Sequence, residues 1–328
     1  METKSEAGPE RSIDYLRLSL TDRCNLNCIY CTPLEKGQCL SHDEVLRYEE
    51  IIAVVASFVR AGVKRLRLTG GEPLIKKDVL SLVRMLKSVE GLEELSMTTN
   101  GTLLSLYAAQ LKDAGLDRIN ISLDTLKKDR FFSITGKDLF KQVWQGVLAS
   151  LESGFNPVKL NVVVMQGVND DEIADFARLT LENPICVRFI EFFHTNPRSK
   201  KLINSLVSSE MVKEEIQDKL GELKPVSGVI GRGPAKYYKL ERALGTIGFI
   251  NGTTGNFCSS CNRLRIDCAG RIFPCLFSGP VLDLRPLLRP NLNNHKLFSE
   301  IKEIFMIKSQ YNKNKIPDPK IEMSSLGG

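Results

Sequence analysis

From residue 15 to about residue 191, short apolar, β-prone runs alternate with amphipathic helical stretches, and this alternation limits the fold more than any other feature of the chain. The strand candidates are 15–20, 65–68, 95–98, 118–122, 159–164 and 187–191. Helical patterns lie between them at about 43–62, 76–89, 103–114, 139–153 and 170–181, with breaks at Gly62, Gly91, Gly115 and Gly154. One strand followed by one helix, repeated, predicts βα units and a parallel sheet or barrel. Six strands fall short of the eight of a closed barrel. An incomplete (βα)6 barrel fits the count, and a doubly wound open sheet fits the pattern alone nearly as well.

After about residue 192 the texture changes. A polar, Pro-containing segment at 193–202 precedes a helical pattern near 208–219. A Gly/Pro-rich stretch at 228–234 then leads into a cysteine-rich region at 257–277 and a further helical pattern at about 296–309. The expected division is a flexible tail at 1–13, an α/β domain at 14–194 and an appended C-terminal domain at 195–328. The first dozen residues lack an apolar segment of the secretory kind, and no apolar run approaches the ~20 residues needed to span a bilayer. A cytoplasmic protein is therefore expected. In that setting the nine cysteines of this 328-residue chain read as metal ligands or reduced thiols rather than disulfides. The net charge of +6 comes from scattered basic residues, which fits a solvated surface better than a nucleic-acid face.

Three of the cysteines, Cys24, Cys28 and Cys31, form a C-x3-C-x2-C triplet just after the first strand candidate. Three thiolates on one loop can hold three irons of a cubane cluster and leave the fourth iron open for chemistry. A zinc knuckle with a distant fourth ligand is the competing reading, although C-x2-C arms are the usual zinc spacing. The turn Thr69-Gly70-Gly71-Glu72-Pro73 follows the second strand candidate. Its glycines allow close approach of backbone to a ligand, and Glu72 could fix a cationic amine. Thr98 and Ser122 close two further strands in the place where barrel sites are built.

A second set, Cys258, Cys261 and Cys275, again supplies three thiolates. Cys268 lies between its arms, so spacing alone leaves a zinc ribbon and a second Fe–S cluster equally open. Arg263 and Arg265 follow at alternating positions, and Arg17, Arg65, Arg67, Lys159 and Arg188 also lie on strand candidates. Cations on the inner face of a sheet are costly unless an anion pairs with them, and several converging on one cavity would suit a polyphosphate.

Together these motifs resemble the radical S-adenosylmethionine (SAM) superfamily, and within it the MoaA-type GTP 3′,8-cyclases of molybdenum cofactor biosynthesis. The likeness runs from about Asp14 to Gly328. It is carried by Leu16-Arg17-Leu18-Ser19 before Thr-Asp-Arg-Cys, by Phe257-Cys-Ser-Ser-Cys-Asn-Arg-Leu-Arg265, by Pro274-Cys-Leu-Phe277 and by the terminal Gly-Gly. The resemblance implies an incomplete (βα)6 TIM-like barrel with a C-terminal domain carrying a second Fe–S cluster. It also implies two [4Fe–4S] clusters, SAM on the first, GTP as substrate, a homodimer, a reductant protein and a following pathway enzyme. Cys24, Cys28 and Cys31 would hold the first cluster, and Cys258, Cys261 and Cys275 the second. Tyr30, Gly70, Gly71, Glu72, Thr98 and Ser122 would meet SAM. The basic residues match substrate positions, and Arg17, Arg263 and Arg265 are expected to be catalytic as well. A deoxyadenosyl radical would take the C3′ hydrogen of GTP, and C3′ would then bond to C8 of guanine. The implied role of the Gly327-Gly328 tail is to enter the active site, and Cys268 is expected to be a bystander. The likeness departs at 193–200, which lacks the family's tryptophan, and at Arg65, where lysine is common. Another radical SAM enzyme with an auxiliary cluster, acting on a peptide, is the alternative.

Overall fold

The computed structural model describes residues 13–31, 39–192, 206–227, 233–252, 261–309 and 326. The expected strands form as β1 (Tyr15–Ser19), β2 (Arg65–Thr69), β3 (Glu94–Thr99), β4 (Arg118–Ser122), β5 (Val158–Val164) and β6 (Ile185–Glu191). They pair in sequence order, each parallel to the next. The return connections carry α1 (Tyr48–Arg60), α2 (Val79–Lys87), α3 (Leu104–Asp113), α4 (Lys128–Thr135), α5 (Phe140–Glu152) and α6 (Ile173–Glu182). Helix α1 starts later than its pattern predicted because Glu50 Oε2 accepts the Arg47 N–H at 2.7 Å and fixes the first turn. Helix α4 escaped the sequence reading. Its two turns are mostly polar and stop at Gly136, which has φ +68°, so periodicity has little to register.

The remaining elements are α7 (Ser209–Leu220), β7 (Lys224–Pro225), β8 (Lys236–Lys239), β9 (Thr246–Ile250), β10 (Arg263–Ile266), β11 (Arg271–Phe273), β12 (Leu282–Asp283), α8 (Arg285–Leu288) and α9 (Asn294–Ser309). These late strands extend both edges of the parallel core. β9 lies parallel to β6 and is followed outward by β8 and β7, while β10 lies parallel to β1 and is followed by β11 and β12. The result is one twelve-stranded sheet, an incomplete barrel that no pairing among the described residues closes.

The two faces of this sheet differ sharply. Leu16, Leu18, Leu66, Leu68, Leu95 and Met97 point to one face and are fully buried with the helices. Burying each such side chain contributes about 1.5–3 kcal/mol, and this layer holds the fold. Parallel sheets are ordinarily apolar on both faces. Here the alternate positions carry Arg17, Arg67, Ser96, Asn120, Lys159 and Arg188. Polar groups on an inner face exclude helix packing there and leave room for a cavity.

Candidate active site

The strand register builds the site. Arg17 stands directly opposite Arg67 on one side and Arg265 on the other, so three guanidinium-bearing residues form a row across β10, β1 and β2. One step back along the strands, Arg263 and Arg65 flank Tyr15. The pairing of β10 with β1 also delivers both ends of the C-terminal cysteine hairpin. Cys261 lies just before β10 and Cys275 just after β11, beside the strand that leads into Cys24, Cys28 and Cys31. All five of these thiols face one cavity of about 320 Å³. Cys258 and the Gly327-Gly328 tail lie outside the described residues, as does the 193–202 loop. Leu326 is buried against Phe273 and Phe277, on either side of Cys275.

The thiols of the triplet fit a polynuclear cluster. Their side chains line the cavity, yet among the described residues no three Cys, His, Asp or Glu gather tightly enough for a single ion. Three soft thiolates on one loop suit an iron–sulfur cluster with one open iron, whereas a closed zinc site needs a fourth ligand. Burial and then mutual repulsion push the thiols up, Cys31 to about 12. A cationic cluster would reverse that cost. Cys261 behaves differently: burial raises it, but Arg263 and Lys308 outweigh burial and hold it down to about 7. Cys268 is buried at the β10–β11 turn, outside the cavity lining, where its carbonyl accepts the Leu46 N–H at 2.8 Å.

The glycine turn docks the cysteine loop. Gly71 N–H donates to Thr21 O at 2.7 Å and Glu72 N–H to Arg23 O at 2.8 Å. Gly70 has φ +146°, and a Cβ there would meet Thr21 O at 2.6 Å; one on Gly71 would lie 2.0 Å from Arg23 O. Only glycine permits this approach. Glu72 lies behind this turn. Its carboxylate is fully buried and absent from the cavity lining, and it accepts from Thr99 Oγ1 (2.7 Å), Asn100 N (2.7 Å) and Leu74 N (3.0 Å). Burial raises it to about 7, and its task is to tie the β2 turn to the end of β3.

Thr98, Ser122 and Tyr30 line the cavity as the sequence suggested. Tyr30 donates to Asp124 Oδ2 at 2.5 Å, and Asp124 Oδ1 accepts the Val163 N–H at 2.8 Å. Burial lifts Asp124 to about 6. Its position two residues past the end of β4 is the signal that could have found it. Asn161 was also missed. Arg188 Nη2 donates to it and to Asn120 Oδ1, the latter at 2.9 Å.

The basic residues all reach the cavity, but their surroundings differ. Arg65 Nη2 donates to Asp14 Oδ2 at 2.9 Å, so its charge is already compensated. Arg17 is depressed well below its usual value by burial and then by the neighbouring Arg265. Arg265 falls to about 10 through burial and Arg263. Lys159 falls to about 8 through burial and Arg188, with its ammonium 5.6 Å from the Tyr237 ring centre. A buried, self-repelling row of cations is a site built for several negative charges.

Comparison with known proteins agrees in detail. Residues 18–180 match the model of the radical SAM superfamily, and residues 185–314 match that of the molybdenum cofactor synthesis C-terminal domain. The chain is 47% identical to GTP 3′,8-cyclase of Heliobacterium modesticaldum, over 88% of both chains. It is 44% identical to that of Petrotoga mobilis, over 97% of this chain and 98% of the other. Among solved structures it is similar to Streptococcus suis SuiB bound to S-adenosylmethionine, with a TM-score of 0.63 at 15% identity. That match covers 87% of this chain but 63% of SuiB, and it shows the fold alone.

Proposed function

The chain belongs to the GTP 3′,8-cyclase family of radical SAM enzymes, and we propose that its cavity binds SAM at one end and GTP at the other to carry out that cyclisation. The carrying observation is the single cavity shared by both cysteine sets and the row Arg265–Arg17–Arg67. In this reading Cys24, Cys28 and Cys31 hold a [4Fe–4S] cluster that SAM completes, and Cys258, Cys261 and Cys275 hold a second one beside the guanine. When bound and reduced, the first cluster with SAM supplies the radical that takes a hydrogen from C3′ of GTP.

The chain's own residues set the geometry. The Gly70-Gly71 turn presses the cysteine loop against β1, and SAM's ammonium group meets carbonyl oxygens of this turn rather than the Glu72 carboxylate. Asp124 fixes the Tyr30 ring beside the triplet, while Thr98 and Ser122 supply hydroxyls at the strand ends. Arg17, Arg67, Lys159, Arg188, Arg263 and Arg265 draw in the triphosphate, with Arg65 in support through its pair with Asp14. Arg17, Arg263 and Arg265 stand nearest the second cysteine set and also orient the base and ribose.

The division at residues 14–194 and 195–328 separates the part that carries the first cysteine set from the part that carries the second, while cations from both parts serve the substrate. The family resemblance further supports a cytoplasmic homodimer, a reductant protein that delivers one electron, and a following enzyme that takes the cyclised nucleotide. No helix among the described residues is long and apolar enough to cross a membrane. The peptide-modifying alternative is not retained, because the relatives above share the cyclase name and the SuiB likeness is one of fold.

The test is anaerobic. Protein reconstituted with iron and sulfide, then given SAM, GTP and dithionite, should release 5′-deoxyadenosine only when GTP is present. Release that ignores GTP, or none from fully loaded protein, overturns the assignment.

A further inference from the structure

Helix α9 packs on α1 through Leu297, Ile301 and Ile304, with Phe305 against Phe58 at 6.2 Å between ring centres. The next position of this apolar stripe is Lys308. A lysine there is unexpected, since lysine is almost never fully buried without a partner. A cation in the last turn of a helix favours the helix dipole, but an exposed side chain would serve that purpose as well. Lys308 is only 2% exposed. Its Nζ donates to Pro274 O at 2.7 Å and approaches Cys261 Sγ at 3.4 Å, and the side chain borders the cavity. Pro274 immediately precedes Cys275. One ammonium group therefore joins the two arms of the second cysteine set beyond the β10–β11 ladder, which pairs Arg265 with Phe273 and Ile266 with Ile272.

We propose that Lys308 is a positioning residue of the second cysteine set, clamping the Cys261 arm to the Pro274-Cys275 arm and donating a charged hydrogen bond to a cluster sulfur ligand. The inference rests on the two-cluster reading above. A donor outside the ligand set orients the ligands and tunes the metal, and its loss typically costs about 10- to 100-fold in metal affinity. A fixed positive charge beside an Fe–S cluster also favours its reduced, more negative state.

The test uses the full chain reconstituted anaerobically, as wild type, Lys308→Met and Lys308→Arg. Methionine continues the apolar stripe, so the iron-free variant should melt within a few degrees of the wild type. Iron release to a chelator, the midpoint potential and the electron paramagnetic resonance spectrum are then read for each cluster. We expect Lys308→Met to keep the iron of the first cluster and to release that of the second about 10- to 100-fold faster. Its second-cluster potential should fall, and Lys308→Arg should bring both readings back toward the wild type. Wild-type release and potential in Lys308→Met would overturn the inference while leaving two clusters in place. A lower melting temperature of the iron-free variant with unchanged release would assign Lys308 to helix packing and overturn it equally. A wild type that loads only one cluster would instead remove the two-cluster reading, and this inference with it.

Discussion

A single methyl group separates a working cysteine loop from a displaced one. In Gly71→Ala the new Cβ would sit 2.0 Å from Arg23 O and 3.0 Å from Cys24 N, both backbone atoms that cannot swing aside. We expect this variant to lose the iron of the first cluster while keeping that of the second, as read by iron counting and electron paramagnetic resonance. Full iron loading of both sites would show that the loop tolerates the shift. Lys159 carries a pH signature. Burial and Arg188 lower its amine to about 8, so the free enzyme is charged there below pH 8 and neutral above it. Triphosphate binding favours the ammonium form, so binding above pH 8 must take up a proton. Affinity for GTP should therefore fall by up to about tenfold from pH 8 to 9, the limit for one linked proton. Lys159→Met should bind more weakly at pH 7 and lose this part of the pH dependence, as measured by calorimetry. Equal slopes in the two proteins would remove Lys159 from the phosphate site.

Strand β1 concentrates the cost of function in one element. Its outward residues Leu16 and Leu18 are fully buried, whereas its inward Arg17 is held between Arg67 and Arg265 at a cost of desolvation and repulsion. Arg17→Met should raise the melting temperature of the nucleotide-free protein by a few degrees and abolish GTP-induced stabilisation, following the usual opposition of site strain and stability. A variant that melts lower and still responds to GTP would refute that account. Period-two alternation of aliphatic and cationic residues makes β1 and β2 legible from sequence, and aliphatic residues alternating with polar ones or running together mark β3 to β6. The same reading placed Cys24, Cys28, Cys31, Arg263 and Arg265 at strand ends and on one face. The placement of Glu72 is less legible, since a carboxylate beside two glycines looks the same in sequence whether it faces a ligand or caps a neighbouring strand. That reading passed over Asp124 and Lys308 because their partners, Tyr30 and Cys261, are distant along the chain. Local pattern carries no record of such pairs.

At the scale of the molecule, distant parts of the chain meet at Asp14. Its carboxylate pairs with Arg65 at 2.9 Å and accepts from Asn262 Nδ2, a residue 248 positions away. Removing one partner of a buried ion pair costs about 3–5 kcal/mol, because the other charge is left uncompensated. Asp14→Ala should thus lower stability to denaturant by about that amount and weaken iron retention at the second cysteine set, although no cysteine has changed. Unaltered iron retention would mean that β10 docks without this tie. The placement of β1 has a further consequence for how the protein is made. During synthesis β1 emerges early and can pair with β2, but its other edge waits for β10. At about 5–20 residues per second, a gap of that length leaves the edge open for roughly 12–50 seconds. An open apolar edge would invite pairing with other nascent chains. Arg17 projects from this strand, and an inward-pointing charge on an edge strand disfavours such pairing. A charge that is costly inside the finished sheet would thus guard its open edge while the chain is incomplete.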